Sequence, residues 1–333
     1  MTEILKKLDL FQQVTDFELE FLSRYLVEKT YNSGEVILHQ GSRGGDLYLI
    51  QSGEVSVNVT LPGDITREAT RLGTGQIFGE VTFLANALIT ATITAEGSRV
   101  ECIIFYRKIL EMLRVAFPGA AYKIEHAIAM QVNVKLLQNL ERITSLLRSI
   151  PEKYVIPSEH ALYLPNGRSR SKPVDINSIN RDLIKNMNFF QELSATEVET
   201  LLPLMNARYY DKGYQFSTED KAPRTINLVC SGAVMLFIKQ NDQLRKSVAV
   251  SGIGELFIQN FFSYEFRTVA KYVSCEESII LELSYEEYCK LETTHPAIFY
   301  AISRHIHCTI AASLYIVNRQ FVRINSEYKD LLI

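Results

Sequence analysis

The chain has 333 residues, of which 47% are hydrophobic and 22% charged, and its formal net charge at pH 7 is −3. This length accommodates two domains with separate cores, while the charge excludes the basic surface typical of nucleic-acid-binding proteins. No apolar run approaches the roughly 20 residues of a membrane-spanning helix. We therefore expect a cytoplasmic protein that contacts neither nucleic acid nor membrane.

Catalytic and metal-binding patterns are missing from the sequence. The five cysteines are scattered without a C-x-x-C spacing, which argues against both a disulfide framework and a zinc site. No nucleophile constellation, paired carboxylates or phosphate-binding loop can be recognised. The sequence therefore predicts a non-enzymatic protein without a metal or cofactor.

The first elements predict a helix followed by short strands. Thr15 and Glu18 have the spacing of a capping box, and Leu19 and Leu22 continue at helical period. From Val36 to Val59 apolar residues alternate with polar ones, and glycines stand at the corners. Several short strands with regular turns indicate an antiparallel β-roll of the jelly-roll type.

A glycine-rich stretch from Leu72 to Ala95 follows and contains the dipeptide Gly79-Glu80. A short apolar helix is predicted from Val81, and an alternating strand from Thr90. Glycine lets the backbone approach a ligand closely, and a helix N-terminus favours an anion. The stretch could therefore present N–H groups and one carboxylate to a small ligand, although Glu80 could equally serve only as a helix cap.

A long helix is predicted from Ala121 to Ile150. At 1.5 Å per residue it measures about 45 Å, which is longer than one small roll can cover. We predict that its apolar stripe forms a homodimer seam, and the alternative is a lid over a ligand's base that uses Gln131, Asn133 and Asn139. The stripe consists of Ile124, Ile128, Val132, Leu136, Leu140, Ile143 and Leu147.

The same plan then repeats, which indicates an internal duplication. Gly213 follows Gly34, and Gly232 follows Gly53, at one constant offset of 179 residues. We predict a first domain at 1–150, a linker at 151–180 and a second domain at 181–333. The predicted fold class is α+β, with two tandem antiparallel β-rolls, each flanked by N-terminal and C-terminal helices.

The stretch from Gly34 to Val55, together with Phe78-Gly79-Glu80, resembles the cyclic nucleotide-binding domain family. In that family a glutamate holds the ribose 2′-hydroxyl, while helix N–H groups and one arginine hold the phosphate. The resemblance implies a non-catalytic sensor of cAMP or cGMP that couples ligand binding to repacking of the C-terminal helices. The alternative is a degenerate tandem scaffold that has lost its ligand and mediates protein–protein interaction.

The resemblance implies two incomplete ligand sites. In the first repeat Ile89 occupies the arginine position, and Asp46, the usual partner of that arginine, remains. Its implied contacts are Gly79, Glu80, Val81, Thr82, Thr90, Ala91 and Thr92. In the second repeat we align Gly254-Glu255 with Gly79-Glu80 after a shortened hairpin, and place a three-residue insertion before Arg267. Because of this arginine the second site is favoured, with contacts at Gly254, Glu255, Leu256, Phe257, Arg267 and Thr268.

Overall fold

The computed structural model describes residues 2–6, 8–61, 65–85, 87–149, 170–216, 224–239, 245–259 and 270–328. The chain forms two compact units. The first comprises Met1–Lys135 and Ile310–Tyr315, and the second comprises Leu136–Thr309 and Ile316–Ile333. The compact units divide after Lys135. The domain boundaries predicted at 150 and 181 stay a prediction.

The first unit contains an antiparallel six-stranded sheet of order β1-β6-β3-β4, with β2 paired to β6 and β5 to β3. Its elements are α1 (Thr2–Leu5), α2 (Asp16–Ser23), β1 (Val27–Asn32), β2 (Val36–Leu38), β3 (Leu47–Leu61), β4 (Ile65–Gly73), β5 (Ile77–Phe78), α3 (Glu80–Ala85), β6 (Thr92–Phe105), α4 (Arg107–Ala116) and the first part of α5 (Pro118–Ser149).

The second unit has antiparallel sheets of order β11-β10-β13 and β12-β9-β14-β8-β7. Its elements are β7 (Ser171–Val174), α6 (Arg181–Lys185), α7 (Ala195–Leu201), β8 (Asn206–Tyr210), β9 (Thr225–Ser231), β10 (Val234–Lys239), β11 (Arg245–Ser251), β12 (Leu256–Gln259), β13 (Ala270–Ser274), β14 (Ser278–Ser284), α8 (Tyr285–Thr294) and α9 (Pro296–Tyr328). The predicted α+β class with tandem antiparallel rolls is confirmed.

Part of the predicted linker is a strand. Within 151–180, β7 pairs with β8 and places Pro173 opposite Arg208. Because β7 is the last strand of its sheet, the proline interrupts no ladder on the other side, as expected for an edge strand. Residues 150–169 lie outside the described part of the chain.

Both predicted capping boxes are confirmed. The Thr15 hydroxyl accepts from the Glu18 amide at the start of α2, and the Glu18 carboxylate accepts from the Thr15 amide at 2.8 Å. Ser194 and Glu197 do the same at the start of α7. Such a cap contributes about 1 kcal/mol to helix stability, so the sequence fixes both helix starts locally.

The apolar stripe of α5 is covered by the same chain. Ile124, Ile128 and Val132 are fully buried. Further along, Leu140, Ile143 and Leu147 belong to a core cluster of the second unit that also contains residues of β10, β11 and α9: Leu236, Ile238, Val248 and Val317. The stripe therefore has an intramolecular explanation, and homodimerisation through α5 stays a prediction without this support.

Backbone hydrogen bonds correct the alignment of the two repeats. In the first unit the amide of Ile50 donates to Gln76, and the amide of Gly75 donates to Ile50, at 3.0 and 2.8 Å. In the second unit the amide of Val229 donates to Glu255 at 3.1 Å, and the amide of Gly254 donates to Val229 at 2.8 Å. These positions all differ by 179, so Gly254-Glu255 is the counterpart of Gly75-Gln76. The predicted equivalence to Gly79-Glu80 is wrong.

The strand registers extend this offset. Leu49 pairs with Ile77 in the first unit and Leu228 with Leu256 in the second, again 179 apart. The hairpin of β3 and β4 has the same length as that of β10 and β11. Even the register shift recurs, at Val57/Asn58 in the first hairpin and at Leu236/Phe237 in the second. The expected shortened hairpin is therefore absent.

The offset also persists beyond the gap at 260–269. Val57 pairs with Ile93, and Leu236 with Tyr272. No insertion separates the two repeats between these points, so the three-residue insertion was wrong as well. The residues in the positions of Gly79 and Glu80 are Ile258 and Gln259, and Ile89 corresponds to Thr268.

Candidate functional site

The first unit contains a tight turn from β5 into α3 at Gly79. Its φ is +83°, and a Cβ built there would lie 2.4 Å from the carbonyl oxygen of Asp46. Only glycine tolerates both this backbone conformation and this close approach. The Thr82 hydroxyl donates to the Gly79 carbonyl at 2.8 Å, so the turn leads directly into α3 with Glu80 as its first residue.

Glu80 is buried and forms an ion pair with a lysine from the long helix. The side chain of Glu80 is 11% exposed, and the ammonium of Lys135 on α5 lies 2.6 Å from its carboxylate. The same ammonium donates to the carbonyl of Ile77 at 3.3 Å. Hydrogen bonds between two charged groups are roughly twice as strong as neutral ones. The carboxylate predicted to hold a ribose is therefore held by Lys135.

Ile89, in the position that the family fills with arginine, packs into the wall of the roll. It is 6% exposed, and a Cβ built on Gly44 would lie 2.8 Å from its Cγ1 and Cδ1. Its amide donates to Ser42 at 3.0 Å and its carbonyl accepts from Gly41 at 2.8 Å. This side chain can offer dispersion contacts to a ligand but no hydrogen bond or charge.

Asp46 has a structural role in place of the missing ion pair. Its carboxylate accepts from the backbone amide of Arg107, the first residue of α4, at 3.1 Å. The Arg107 guanidinium donates to the carbonyl of Thr82 at 3.1 Å and lies 3.5 Å from the Glu111 carboxylate. These bonds connect α4 with the cassette, which we define as residues 79–85.

The other predicted contacts of the first repeat lie in two groups. Val81 and Thr82 are buried in the cassette with Gly79 and Glu80, and Thr82 also approaches Gly44, which Ile89 contacts. Thr92 is on β6, where its hydroxyl accepts from Gln40 at 3.2 Å. Thr90 is half-buried and Ala91 is 6% exposed, in the core of the roll. The structure thus brings the cassette and Ile89 together but places Ala91 in the core.

Tyr48 borders the cassette on the core side. Its ring stacks on Phe78 with centroids 4.9 Å apart, and a Cβ on Gly79 would lie 3.4 Å from its Cδ2. Burial, with a smaller effect of the Asp46 charge, raises the pKa of Tyr48 to about 12. The phenol is therefore neutral at physiological pH and serves as a hydrogen-bonding or packing group.

The predicted contacts of the second repeat form a turn and a strand. Glu255 is exposed, and its carboxylate accepts from the Gly252 amide at 2.8 Å. Leu256 and Phe257 are buried on β12. Phe257 was expected in a cassette helix but is the counterpart of Phe78. Arg267 and Thr268 lie outside the described residues, and their role stays a prediction.

The interior of the second roll is aromatic at the position of Phe257. This side chain is 1% exposed, and its ring centroid lies 4.9 Å from that of Phe216 and 5.1 Å from that of Tyr272. The corresponding positions in the first roll are Ile37 and Ile93. Around Phe257 the second roll therefore has aromatic rings at two positions where the first roll has smaller aliphatic side chains.

Lys135 and Arg107 were not predicted from the sequence. Lys135 is 55 residues from Glu80, and helical periodicity gives only the face on which it lies. Arg107 is the first residue of α4, and its position at a helix start was the one available signal. Within the described ranges, no group of three or more His, Cys, Asp or Glu side chains could hold a metal ion.

No helix in the described part of the chain combines the length and the apolarity that crossing a bilayer requires.

Comparisons with known proteins relate the first unit to one family. The family model for the cyclic nucleotide-binding domain matches residues 28–115. The type II regulatory subunit of cAMP-dependent protein kinase from Drosophila melanogaster is 32% identical over 111 residues, which is 33% of this chain and 29% of the relative. The cGMP-dependent protein kinase egl-4 from Caenorhabditis briggsae is 30% identical over 105 residues, 31% of this chain and 14% of the relative.

The matched regions thus cover less than a third of these curated relatives. Among solved structures, the regulatory domain of Toxoplasma gondii PKA with cAMP is 16% identical. The match covers 88% of this chain and 91% of that chain, with a TM-score of 0.32.

Proposed function

Residues 28–115 belong to the cyclic nucleotide-binding domain family, and on that premise we propose that this is a non-catalytic regulatory protein of the cytoplasm whose first roll binds a ribose-containing ligand. The names of the relatives point to cAMP and cGMP as the reference ligands. The observation that carries the proposal is the buried Glu80 carboxylate beside Gly79, with Lys135 as its only ion-pair partner among the described residues.

The first roll is the proposed site because the second lacks the necessary residues. With the corrected alignment, Ile258 and Gln259 occupy the positions of Gly79 and Glu80. An isoleucine disfavours a positive φ, and a neutral amide cannot supply a charge-assisted acceptor. The second roll is therefore proposed as the structural partner rather than the sensing domain.

Ligand binding would be coupled to α5 by exchange at Glu80. A ribose hydroxyl that donates to this carboxylate competes with the Lys135 ammonium for the same oxygen atoms. Lys135 belongs to α5, whose following residues, from Leu136, belong to the second unit. Release of Lys135 would remove the ion pair that connects the cassette with α5. The ligand would shift the equilibrium between the paired and the released arrangement by the difference in its affinity for the two.

The experiment is calorimetric titration of the full chain with cAMP, cGMP, adenosine and guanosine. We expect at least one of them to bind, and Glu80→Gln to weaken it by about tenfold or more, as for loss of a charged hydrogen-bond acceptor. Glu255→Gln is the matched control, because Glu255 is an exposed turn residue, and it should leave the affinity unchanged.

The second candidate function is a scaffold that has lost its ligand and binds another protein. It is favoured by the apolar Ile89 at the phosphate position and by the aromatic packing around Phe257. Absence of binding for all four compounds would reject the proposed sensor and leave this alternative.

A further inference from the structure

We propose that the first roll selects an uncharged ribonucleoside over a cyclic nucleotide. This inference rests on the proposed function, in which Glu80 accepts a hydroxyl of the ribose, and it specifies the chemical class of the ligand. It concerns the position where the resembled family has the phosphate-binding arginine and this chain has Ile89.

Ile89 makes this part of the site apolar. Its side chain is 6% exposed and packs on Gly44, whose missing Cβ leaves room for the two terminal carbons. Both of its backbone polar groups are engaged with the turn at residues 41–42. A phosphate placed against it would lose hydration without gaining the charged partner that an arginine supplies, and burying an unpaired charge is costly.

Two cations among the described residues contact the cassette or the strand leading into it, and both are already engaged. Arg107 donates to the Thr82 carbonyl and lies 3.5 Å from Glu111, while Lys135 is paired with Glu80. Under the proposed exchange a ribose hydroxyl frees Lys135 from Glu80, so a cyclic phosphate would obtain a counter-ion only by recruiting this ammonium from α5 or by drawing Arg107 away from Thr82 and Glu111.

The local charge is also unfavourable for an anion. No described cationic side chain forms an ion pair with Asp46, whose carboxylate accepts from the backbone amide of Arg107. The cassette helix α3 has only six residues, and a helix this short offers little dipole to offset a carboxylate nearby. Asp46 therefore brings no cation to this part of the site.

A nucleoside avoids these costs and gains at Glu80. Its uncharged 5′ end can pack on Ile89 by dispersion. Its free 2′- and 3′-hydroxyls form a diol, whereas a 3′,5′-cyclic phosphate leaves only the 2′-hydroxyl to donate. A carboxylate has two oxygens and accepts both hydroxyls of a diol.

The test is a ranking of affinities on the full chain by calorimetry. We expect adenosine or guanosine to bind at least about tenfold more tightly than the corresponding cyclic nucleotide, the factor of a charge-assisted contact that the phosphate does not gain. The 2′-deoxynucleoside should bind at least about tenfold more weakly than the nucleoside. Cyclic nucleotides that bind more tightly would overturn this inference and leave the proposed function intact, whereas no binding at all would reject the proposed function.

Restoring the arginine gives an independent test. Ile89→Arg should shift the preference toward the cyclic nucleotide by about ten- to a hundredfold. Leu88→Arg is the matched control, since the adjacent Leu88 is 50% exposed, and it should leave the preference unchanged. If Ile89→Arg does not fold, as judged by circular dichroism, the wild-type ranking decides alone.

Arg43 is the remaining cation to examine, because it is exposed and forms a backbone bridge with Leu88. We expect Arg43→Ala to leave the ranking unchanged. Tight binding of a cyclic nucleotide that depends on Arg43 would overturn the inference, because the phosphate would then have a cation after all.

Discussion

Replacing Lys135 with methionine tests whether the ion pair with Glu80 stabilises the first unit. The change keeps the length and the apolar stem but leaves a carboxylate that is 11% exposed without its cation. Breaking a fully buried pair costs about 3 to 5 kcal/mol. Because the Lys135 side chain is 31% exposed, solvent screens part of the interaction, and we expect a loss of about 1 to 3 kcal/mol in the free energy of unfolding.

The measurement is urea unfolding of wild type, Lys135→Met, Glu80→Gln and the double variant, followed by circular dichroism. In the double variant no charge remains unpaired, so the two losses should not add, and we expect a coupling energy of at least about 1 kcal/mol. Lys123→Met on the same helix is the control, since Lys123 forms no ion pair with a described residue. Losses that add to within about 0.3 kcal/mol would refute a stabilising pair.

Three further variants test the packing and charges of the two rolls. Gly79→Ala should cost at least about 2 kcal/mol more than Gly75→Ala, because both have positive φ but only Gly79 would place a Cβ 2.4 Å from a backbone oxygen; equal midpoints in urea would contradict the close approach. Phe257→Ala should lower the free energy of unfolding by about 3 to 5 kcal/mol as a fully buried ring, and a loss under about 1 kcal/mol would show that the site is not tightly packed. Burial raises the pKa of the Glu282 carboxyl, against the opposing effect of its hydrogen bond with Tyr210. The stability from Glu282 is therefore present at low pH and lost as the pH rises above about 4.5. Glu282→Gln should thus gain stability relative to wild type between about pH 4.5 and 7, and a difference that does not change with pH would contradict the shift.

The sequence predicted the class of fold and the duplication because these depend on local patterns. The capping boxes at Thr15 and Ser194 and the glycines at the turns are signals within a few residues. The predicted offset of 179 residues is correct, and the strand pairs keep it as far as Ile93 and Tyr272. Gly254-Glu255 matches Gly79-Glu80 by identity, but a dipeptide match carries little information beside the strand register, which pairs it with Gly75-Gln76.

The partners of the long helix could not be predicted. Its periodicity identified Leu140, Ile143 and Leu147 as an apolar face, but periodicity does not show what covers a face. The same limit applies to Lys135, which the pattern placed on α5 without indicating that it reaches Glu80. Contacts between residues far apart in sequence depend on the packing of complete elements, and a single sequence contains no direct signal of them.

The covered stripe of α5 has a practical consequence for work on shortened forms of the protein. A fragment that ends at residue 149 would keep Leu140, Ile143 and Leu147 but lose the strands and the helix that bury them. Such a fragment would associate through this bare surface to remove it from water. Dimers observed with an isolated first half would then reflect the missing half, not the quaternary structure of the intact molecule.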